Sequence, residues 1–183
     1  MKKYLFVFVL LFAVLACTGA QQKTPQAAAE LTFSYTRLSG SASNQFAVWV
    51  EDSQGKHIKT LYATKYTANG GWKRRETSIP VWVKKSGLAD LTGAQVDAVT
   101  GATPKTGTLT YTWDGTDSSG KAVPAGNYVL YLEGTLRWEN QVLYRAPINF
   151  GKGAASAEVK VEYKGDAGAD RSMIGDVKAR SLR

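Results

Sequence analysis

The stretch TLTYTWDGTDSSGKAVPAGNYVLYL, residues 108–132, decides the fold. At its start, the apolar residues Leu109, Tyr111 and Trp113 alternate with three threonines. Such period-two alternation is typical of a half-buried β-strand. Two glycine-containing turns follow, and a second apolar alternation begins at Tyr128. The stretch therefore predicts two strands joined by a structured connection, with Trp113 and Tyr128 in the core.

The same alternation recurs between Leu31 and residue 164, and turn signals such as Asp52-Ser53-Gln54-Gly55 separate the runs. No segment combines helical periodicity with caps. About seven short strands without helices predict an all-β fold, a single antiparallel β-sandwich over residues 31–164. The Ala- and Gln-rich residues 21–30 form a linker in this interpretation. The polar, Gly-rich residues 165–183 form a flexible C-terminal tail.

Residues 1–20 have the features of an export signal. Lys2 and Lys3 precede an unbroken apolar run that ends at Leu15 and is too short to span a bilayer comfortably. Small residues follow, so the segment predicts a cleaved signal peptide. Cleavage before Cys17 would resemble lipoprotein processing and make Cys17 the lipidated first residue, whereas cleavage after residue 20 would release a soluble form. Cys17 is the only cysteine, which excludes an intramolecular disulfide.

The charge of the chain is positive. The formal net charge is +8, and loss of Lys2 and Lys3 with the signal peptide leaves +6. Basic residues cluster at Lys73-Arg74-Arg75 and at Lys84-Lys85. Such clusters suit an acidic partner, a phosphate or an anionic membrane surface, but lysines on a solvated strand edge are the interpretation we favour. Export argues against a nucleic-acid partner, and we expect membrane contact only through a lipid on Cys17.

Two segments support a family resemblance. They are VWVEDSQGKHIKTL, residues 48–61, and YTWDGTDSSGKAVPAGNY, residues 111–128. Together they resemble the immunoglobulin-like domain of the flagellar hook-capping protein. The mature chain as a whole resembles a family of predicted periplasmic proteins of unknown function that carry this signature. The resemblance implies an immunoglobulin-like, hook-capping-like β-sandwich, and it makes a role related to flagellar assembly one alternative function.

A seven-residue segment, DAVTGAT at residues 97–103, carries the sharpest chemical hypothesis. It resembles the flavinylation motif of the FMN-carrying subunits of sodium-pumping respiratory complexes. All five fixed positions of that motif match, namely Asp97, Thr100, Gly101, Ala102 and Thr103. The resemblance implies that an extracytoplasmic flavin transferase attaches FMN to Thr103 through a phosphoester bond. The competing interpretation is a Thr- and Gly-rich loop that leads into the strand at Thr108.

Other candidate sites have less support in the sequence. His57 is the only histidine, and beside Lys56 we expect it to be exposed rather than catalytic. We predict no catalytic residues and no metal ligands. A His-based zinc site and a Ser-His-Asp triad both depend on histidine, and the chain has a single histidine and no cluster of cysteines. Trp72 and Trp82 flank the basic clusters and offer an exposed aromatic face, although packing is the role that we favour.

These observations predict a non-enzymatic exported protein that acts through protein contacts, within an extracytoplasmic redox system. It would lie in the periplasm or be tethered to a membrane that faces it. The first alternative is an electron-transfer protein with covalent FMN on Thr103, for which a flavin transferase and extracytoplasmic redox proteins are the expected partners. The second alternative is the flagellar role.

Overall fold

The computed structural model describes residues 26–39, 44–166 and 168–183. The predicted signal peptide, the cleavage sites and Cys17 lie outside the described residues, as do residues 21–25 of the predicted linker. None of the helices in the described part of the chain has the length and apolar character needed to cross a bilayer.

Two sheets dominate the described structure. The strands are β1 (Ala29–Tyr35), β2 (Gln45–Asp52), β3 (His57–Thr64), β4 (Thr100–Gly101), β5 (Gly107–Trp113), β6 (Gly126–Thr135), β7 (Gln141–Phe150), β8 (Ala154–Ala157), β9 (Lys160–Lys164) and β10 (Ile174–Leu182). One sheet has the order β5-β1-β10-β8 and the other β4-β3-β2-β6-β7-β9. Pairing is antiparallel except between β3 and β4. The predicted all-β sandwich is confirmed, while its immunoglobulin-like or hook-capping-like character stays a prediction.

The main core lies between the sheets. Trp113 is fully buried at the end of β5, and Tyr128 is 7% exposed at the start of β6. Their ring centroids are 4.8 Å apart. Each polar atom of the pair is satisfied by a nearby carbonyl: Trp113 Nε1 donates to Thr116 at 2.8 Å and the Tyr128 hydroxyl to Pro124 at 2.7 Å. The predicted burial of both residues is confirmed.

A helical layer covers the outer face of the six-stranded sheet, so the expectation of a helix-free domain was wrong. Between β3 and β4 the chain forms α1 (Trp72–Arg74), α2 (Pro80–Lys85) and α3 (Gly93–Val99), together with irregular turns at Thr67–Gly71 and Leu88–Asp90. A second core forms beneath this layer, with fully buried Trp49, Ile79 and Trp82 at its centre. Helices of three to seven residues are too short to show a 3.6-residue period in the sequence.

The basic clusters lie in this helical layer rather than on a strand edge, which corrects the sequence interpretation. Lys73 and Arg74 are on α1, and Lys84 and Lys85 are on α2. Lys85 is not simply solvated, because its Nζ lies 3.0 Å from the buried carboxylate of Glu51.

The predicted flexible tail also needs correction. Residues 174–182 form β10, which lies between β1 and β8 in the four-stranded sheet. Ile174, Ala179 and Ser181 of this strand are buried. Backbone pairing with β1 runs from Ser181 opposite Ala29 to Ile174 opposite Tyr35. The C-terminal segment is therefore an internal part of the sandwich. Ala29 and Glu30, assigned to the linker, likewise belong to β1.

Candidate functional site at the end of helix α3

The structure places residues 97–103 across the end of α3 and the start of the connection to β5. Asp97 lies on the last turn of α3. Thr100 and Gly101 then form β4, which pairs in parallel with Ala63 and Thr64 of β3. Ala102 and Thr103 follow in an irregular segment that crosses from one sheet to the other. The interpretation of these residues as a loop that leads into the strand at Thr108 therefore holds only in part, because the segment begins on a helix.

Local sequence fixes the start of α3. Thr92 and Gln95 form a capping box: the Thr92 hydroxyl accepts from the Gln95 amide, and the Gln95 side chain accepts from the Thr92 amide at 2.9 Å. This arrangement satisfies backbone donors that the first helical turn leaves unpaired. The helix that leads into the motif therefore has a defined beginning.

Tyr62 fixes the other end of the motif. Its hydroxyl donates to the Ala102 carbonyl at 2.7 Å. Its ring packs against Gly101 so closely that a Cβ there would lie 2.6 Å from Tyr62 Cε2. The ring itself is held by Phe46 and Tyr111, whose centroids lie 5.1 and 4.9 Å away. Gly101 is therefore required by a close approach, a reason that the sequence alone does not show.

The proposed acceptor is accessible. Thr103 is half-buried, while Asp97 and Ala102 are exposed. Within the described residues no hydrogen bond involves the Thr103 hydroxyl or the Asp97 carboxylate. The five matched residues therefore lie on one short surface segment, and no hydrogen bond to another described residue engages the Thr103 hydroxyl.

A groove of about 580 Å³ lies against the motif. We call it the α3 groove and define it by Gln95, Ala98 and Val99 from α3, Lys59 and Leu61 from β3, and Thr112 from β5. Its volume falls in the range of small-molecule sites. The two free positions of the motif, Ala98 and Val99, thus form part of its wall.

A smaller cavity, about 340 Å³, lies on the other side of α3 and includes Trp72, Lys73 and Asp97. Trp72 is half-buried there, and Lys73 Nζ lies 5.4 Å from its ring centroid. Trp82 does not contribute to any exposed aromatic face, because it is fully buried and its indole N–H donates to Thr60 at 3.0 Å.

His57 lies at the floor of the helical layer and is half-buried rather than exposed, which corrects our expectation. Its Nε2 is 2.9 Å from the Thr60 hydroxyl. Burial lowers the pKa of His57 to about 4, against an opposing effect of Glu51 and with a further lowering by Lys85. The described residues hold no cluster of three or more His, Cys, Asp or Glu side chains arranged to bind a metal ion.

Two buried acids that the sequence did not single out lie on the outer face of the six-stranded sheet. Glu51 accepts from Trp49 Nε1 at 2.9 Å and from Lys85 at 3.0 Å. Glu133 accepts from the backbone amides of Val81 and Trp82, which begin α2. Glu51 lies two residues after Trp49, and Glu133 lies two residues after Tyr131, so each acid shares a strand face with a large aromatic residue. These aromatic neighbours were the signal in the sequence that this face of the sheet is covered.

Comparison with known protein families identifies the chain. A family model described as predicted periplasmic protein (DUF2271) matches residues 28–169. The chain belongs to this family. The protein is periplasmic, as its N-terminal sequence predicts. No curated protein and no solved structure matches it.

Substituting Gly101 should damage the site locally. In Gly101→Ala the added Cβ must displace the Tyr62 ring, which Phe46 and Tyr111 hold in place. We expect a loss of about 1–3 kcal/mol in the free energy of unfolding, the usual cost of overpacking. Urea unfolding measures the loss, and hydrogen exchange at residues 100–103 should become faster.

The matched control is Gly93→Ala at the start of α3, where a Cβ would meet nothing within 4 Å. This change should be neutral or slightly stabilising, because alanine favours helix over glycine. Equal stability of the two variants would show that Tyr62 does not constrain the motif.

Proposed function

We propose that this periplasmic protein is a non-enzymatic electron carrier that holds FMN covalently on Thr103. It would act through contacts with other proteins of an extracytoplasmic redox system. The observation that carries the proposal is the placement of the five matched motif residues on one short surface segment, in which Asp97 and Ala102 are exposed and Thr100, Gly101 and Thr103 are half-buried. There Tyr62 fixes the backbone on one side of Thr103 while the Thr103 hydroxyl stays unengaged.

The chemistry of attachment is a phosphoryl transfer that a separate flavin transferase would catalyse with FAD as donor. Thr103 Oγ forms a bond to the phosphorus of the FMN half of FAD. The bond between that phosphorus and the bridging pyrophosphate oxygen breaks, and AMP leaves. The hydroxyl proton passes to a base of the transferase or to water. No electrons are exchanged in this step, so it needs no oxidant or reductant.

The residues around Thr103 suit this reaction. A transferase must place a threonine hydroxyl at a phosphorus held in its own active site, which demands an exposed and narrow segment. Gly101 and Ala102 carry almost no side chain beyond the backbone, so nothing bulky precedes the acceptor. Asp97 is exposed on the last turn of α3 and is free to serve as a recognition contact. FMN would then supply the redox chemistry, and this chain would hold and present it.

Substitution of the acceptor tests the proposal. The full chain is expressed with an exported flavin transferase, purified, denatured and examined for flavin fluorescence on a gel. The wild-type band should fluoresce, and Thr103→Ala should be dark, because only a covalent bond survives denaturation. Thr108→Ala is the matched control, since Thr108 is an exposed threonine outside the motif, and it should fluoresce like the wild type.

Two results would contradict the proposal. One is a fluorescent band from Thr103→Ala that equals the wild-type band. The other is a dark wild-type band when a known flavinylated subunit, expressed beside it, is labelled.

A further inference from the structure

The α3 groove is the larger of the two cavities described above, both of which border the proposed attachment segment. Besides α3, Thr112 of β5 and Leu61 and Lys59 of β3 line it. Helix α3, strand β3 and strand β5 are distant in sequence, so the groove exists only because the helical layer packs beside the sandwich edge. The feature therefore belongs to the folded domain and not to the motif alone.

The charges around the groove are already compensated. Lys59 Nζ lies 3.0 Å from both carboxylate oxygens of Asp114 and 2.7 Å from the Thr116 hydroxyl, so all three of its protons have partners. His57, at the same end, is neutral above pH of about 4. A phosphate or a divalent cation would find no unpaired charge among these groups. The groove favours a neutral ligand instead.

The remaining surface suits a flat ring with a polar edge. Leu61, Ala98 and Val99 supply apolar contacts, while Gln95 and Thr112 supply side chains that can donate and accept hydrogen bonds. Such a mixture of apolar walls with few polar groups is typical of small-molecule sites. Oxidised isoalloxazine has this character, because it is uncharged, planar and polar along one edge.

The groove is also within reach of Thr103. Val99, which lines it, is separated from Thr103 by four residue steps, and fully extended chain spans at most about 3.6 Å per residue. Thr103 Cα is therefore no more than about 14 Å from Val99 Cα. The flexible ribityl phosphate chain of FMN begins at Thr103 and can follow this path.

We infer that the α3 groove receives the isoalloxazine ring of the flavin carried on Thr103, so that the ring lies against α3 and β3 rather than in solvent. This inference rests on the proposed function. Retention of the cofactor comes from the covalent bond, and the groove fixes the position of the ring.

Iodide quenching of flavin fluorescence tests the inference on the flavinylated full chain. Small-molecule sites bury roughly 70–90% of their ligand surface, so we expect quenching of the wild-type protein to be about threefold weaker than quenching of free FMN. Thr112→Arg places a long charged side chain in the groove and should restore quenching to the level of free FMN. Ser86→Arg fills the groove from the end of α2 and should do the same.

Thr110→Arg is the matched control. Thr110 is exposed two residues earlier on the same face of β5, and it does not line the groove. Iodide should quench the flavin of Thr110→Arg as weakly as that of the wild type. Thermal melts should show that all three arginine variants remain folded. A Trp72→Leu variant reports on the smaller cavity, and it should leave quenching unchanged.

The outcomes separate the two claims. If no flavin is attached, the proposed function fails. If flavin is attached but is quenched like free FMN in the wild type, or equally in Thr112→Arg and Thr110→Arg, the groove assignment is overturned and the proposed function stands. Increased quenching in Trp72→Leu alone would also overturn it, because the ring would then lie in the smaller cavity.

Discussion

Removal of residues 174–183 should leave this protein unable to fold. The deletion takes away β10, which pairs with β1 on one side and β8 on the other. It would leave β1 paired on one edge only, with β5, and open the main core at Ile174 and Ala179. Domains of this size are stable by only about 5–15 kcal/mol, and loss of an internal strand exceeds that margin. We expect no cooperative thermal transition in circular dichroism and solvent-exposed tryptophan fluorescence.

The control keeps the strand and changes only its outward side chains. Lys178 and Arg180 are exposed, so Lys178→Ser with Arg180→Ser should shift the melting temperature only slightly. A truncated chain that still melts cooperatively near the wild-type temperature would show that the C-terminal segment is dispensable, as a flexible tail would be.

The buried acid Glu133 should give the second large effect, on the pH dependence of stability. Burial raises the pKa of Glu133 to about 7, although the amides of Trp82 and Val81 and the charge of Lys164 lower it in part. A carboxyl with a raised folded pKa binds its proton more tightly in the folded state. Its contribution to stability is full below the unfolded value of 4.5 and is lost as pH rises to about 7.

His57 works in the opposite direction. Its pKa is lowered from 6.5 to about 4, chiefly by burial, so the unfolded state binds the proton more tightly. Stability from this residue is full above pH 6.5 and is lost as pH falls to about 4. Between pH 4.5 and 6.5 the two residues therefore oppose each other in the wild-type protein.

Single substitutions should reveal the two pH dependences of the free energy of unfolding that cancel in the wild-type protein. Across pH 4.5–6.5 the free energy of unfolding of Glu133→Gln should rise relative to the wild type by about 2 kcal/mol, since each pKa unit is worth about 1.4 kcal/mol and neither state is fully protonated or deprotonated at the ends of this range. That of His57→Gln should fall relative to the wild type by a similar amount, about 2 kcal/mol. The double variant should run parallel to the wild type. Urea unfolding at pH 4.5, 5.5 and 6.5 measures all four curves, and single-variant curves parallel to the wild type would contradict the assignment.

The parts of the fold that the sequence predicts correctly are those encoded locally. The Trp113 and Tyr128 strands follow an uninterrupted alternation, and their turns carry Asp and Gly at the required positions. At Gly55 the backbone is left-handed, with φ of +78°, and Asp52 accepts from the amides of Gln54 and Lys56 at 2.9 Å. The residues of each turn are enough to explain its backbone conformation, so the local sequence was sufficient to predict these strands and turns.

Strand β10 could not be predicted from the sequence, because its alternation of buried and exposed residues is interrupted. Pairing with β1 shifts register between Thr32 and Ser34, and Asp176 opposite this irregularity has φ of +49°. The alternation of buried residues therefore does not run evenly from Ile174 to Ser181. Its partner β1 lies near the other end of the described chain, and no local signal reports such a pairing.

The candidate site also combines features that are encoded locally with features that depend on contacts distant in sequence. The motif at residues 97–103 is visible in the sequence because its spacing is fixed along the chain. The α3 groove, the clamp by Tyr62 and the burial of Glu133 depend on contacts between β3, β5, β6 and the helical layer. These could not be predicted once the helices had been missed. The helical layer covers the face of β2 that carries Ala47 and Trp49, and the period-two pattern alone does not distinguish such a covered face from a solvated one.

Peptide mapping by mass spectrometry tests the central claim most directly. Protein made in its native compartment with a flavin transferase is digested with trypsin, which should release residues 86–105, SGLADLTGAQVDAVTGATPK. This peptide contains Thr92, Thr100 and Thr103, and fragmentation distinguishes them. We predict a mass increase of one FMN minus water, located on Thr103. An unmodified peptide beside a labelled control subunit, or FMN located on Thr92 or Thr100, would contradict the account.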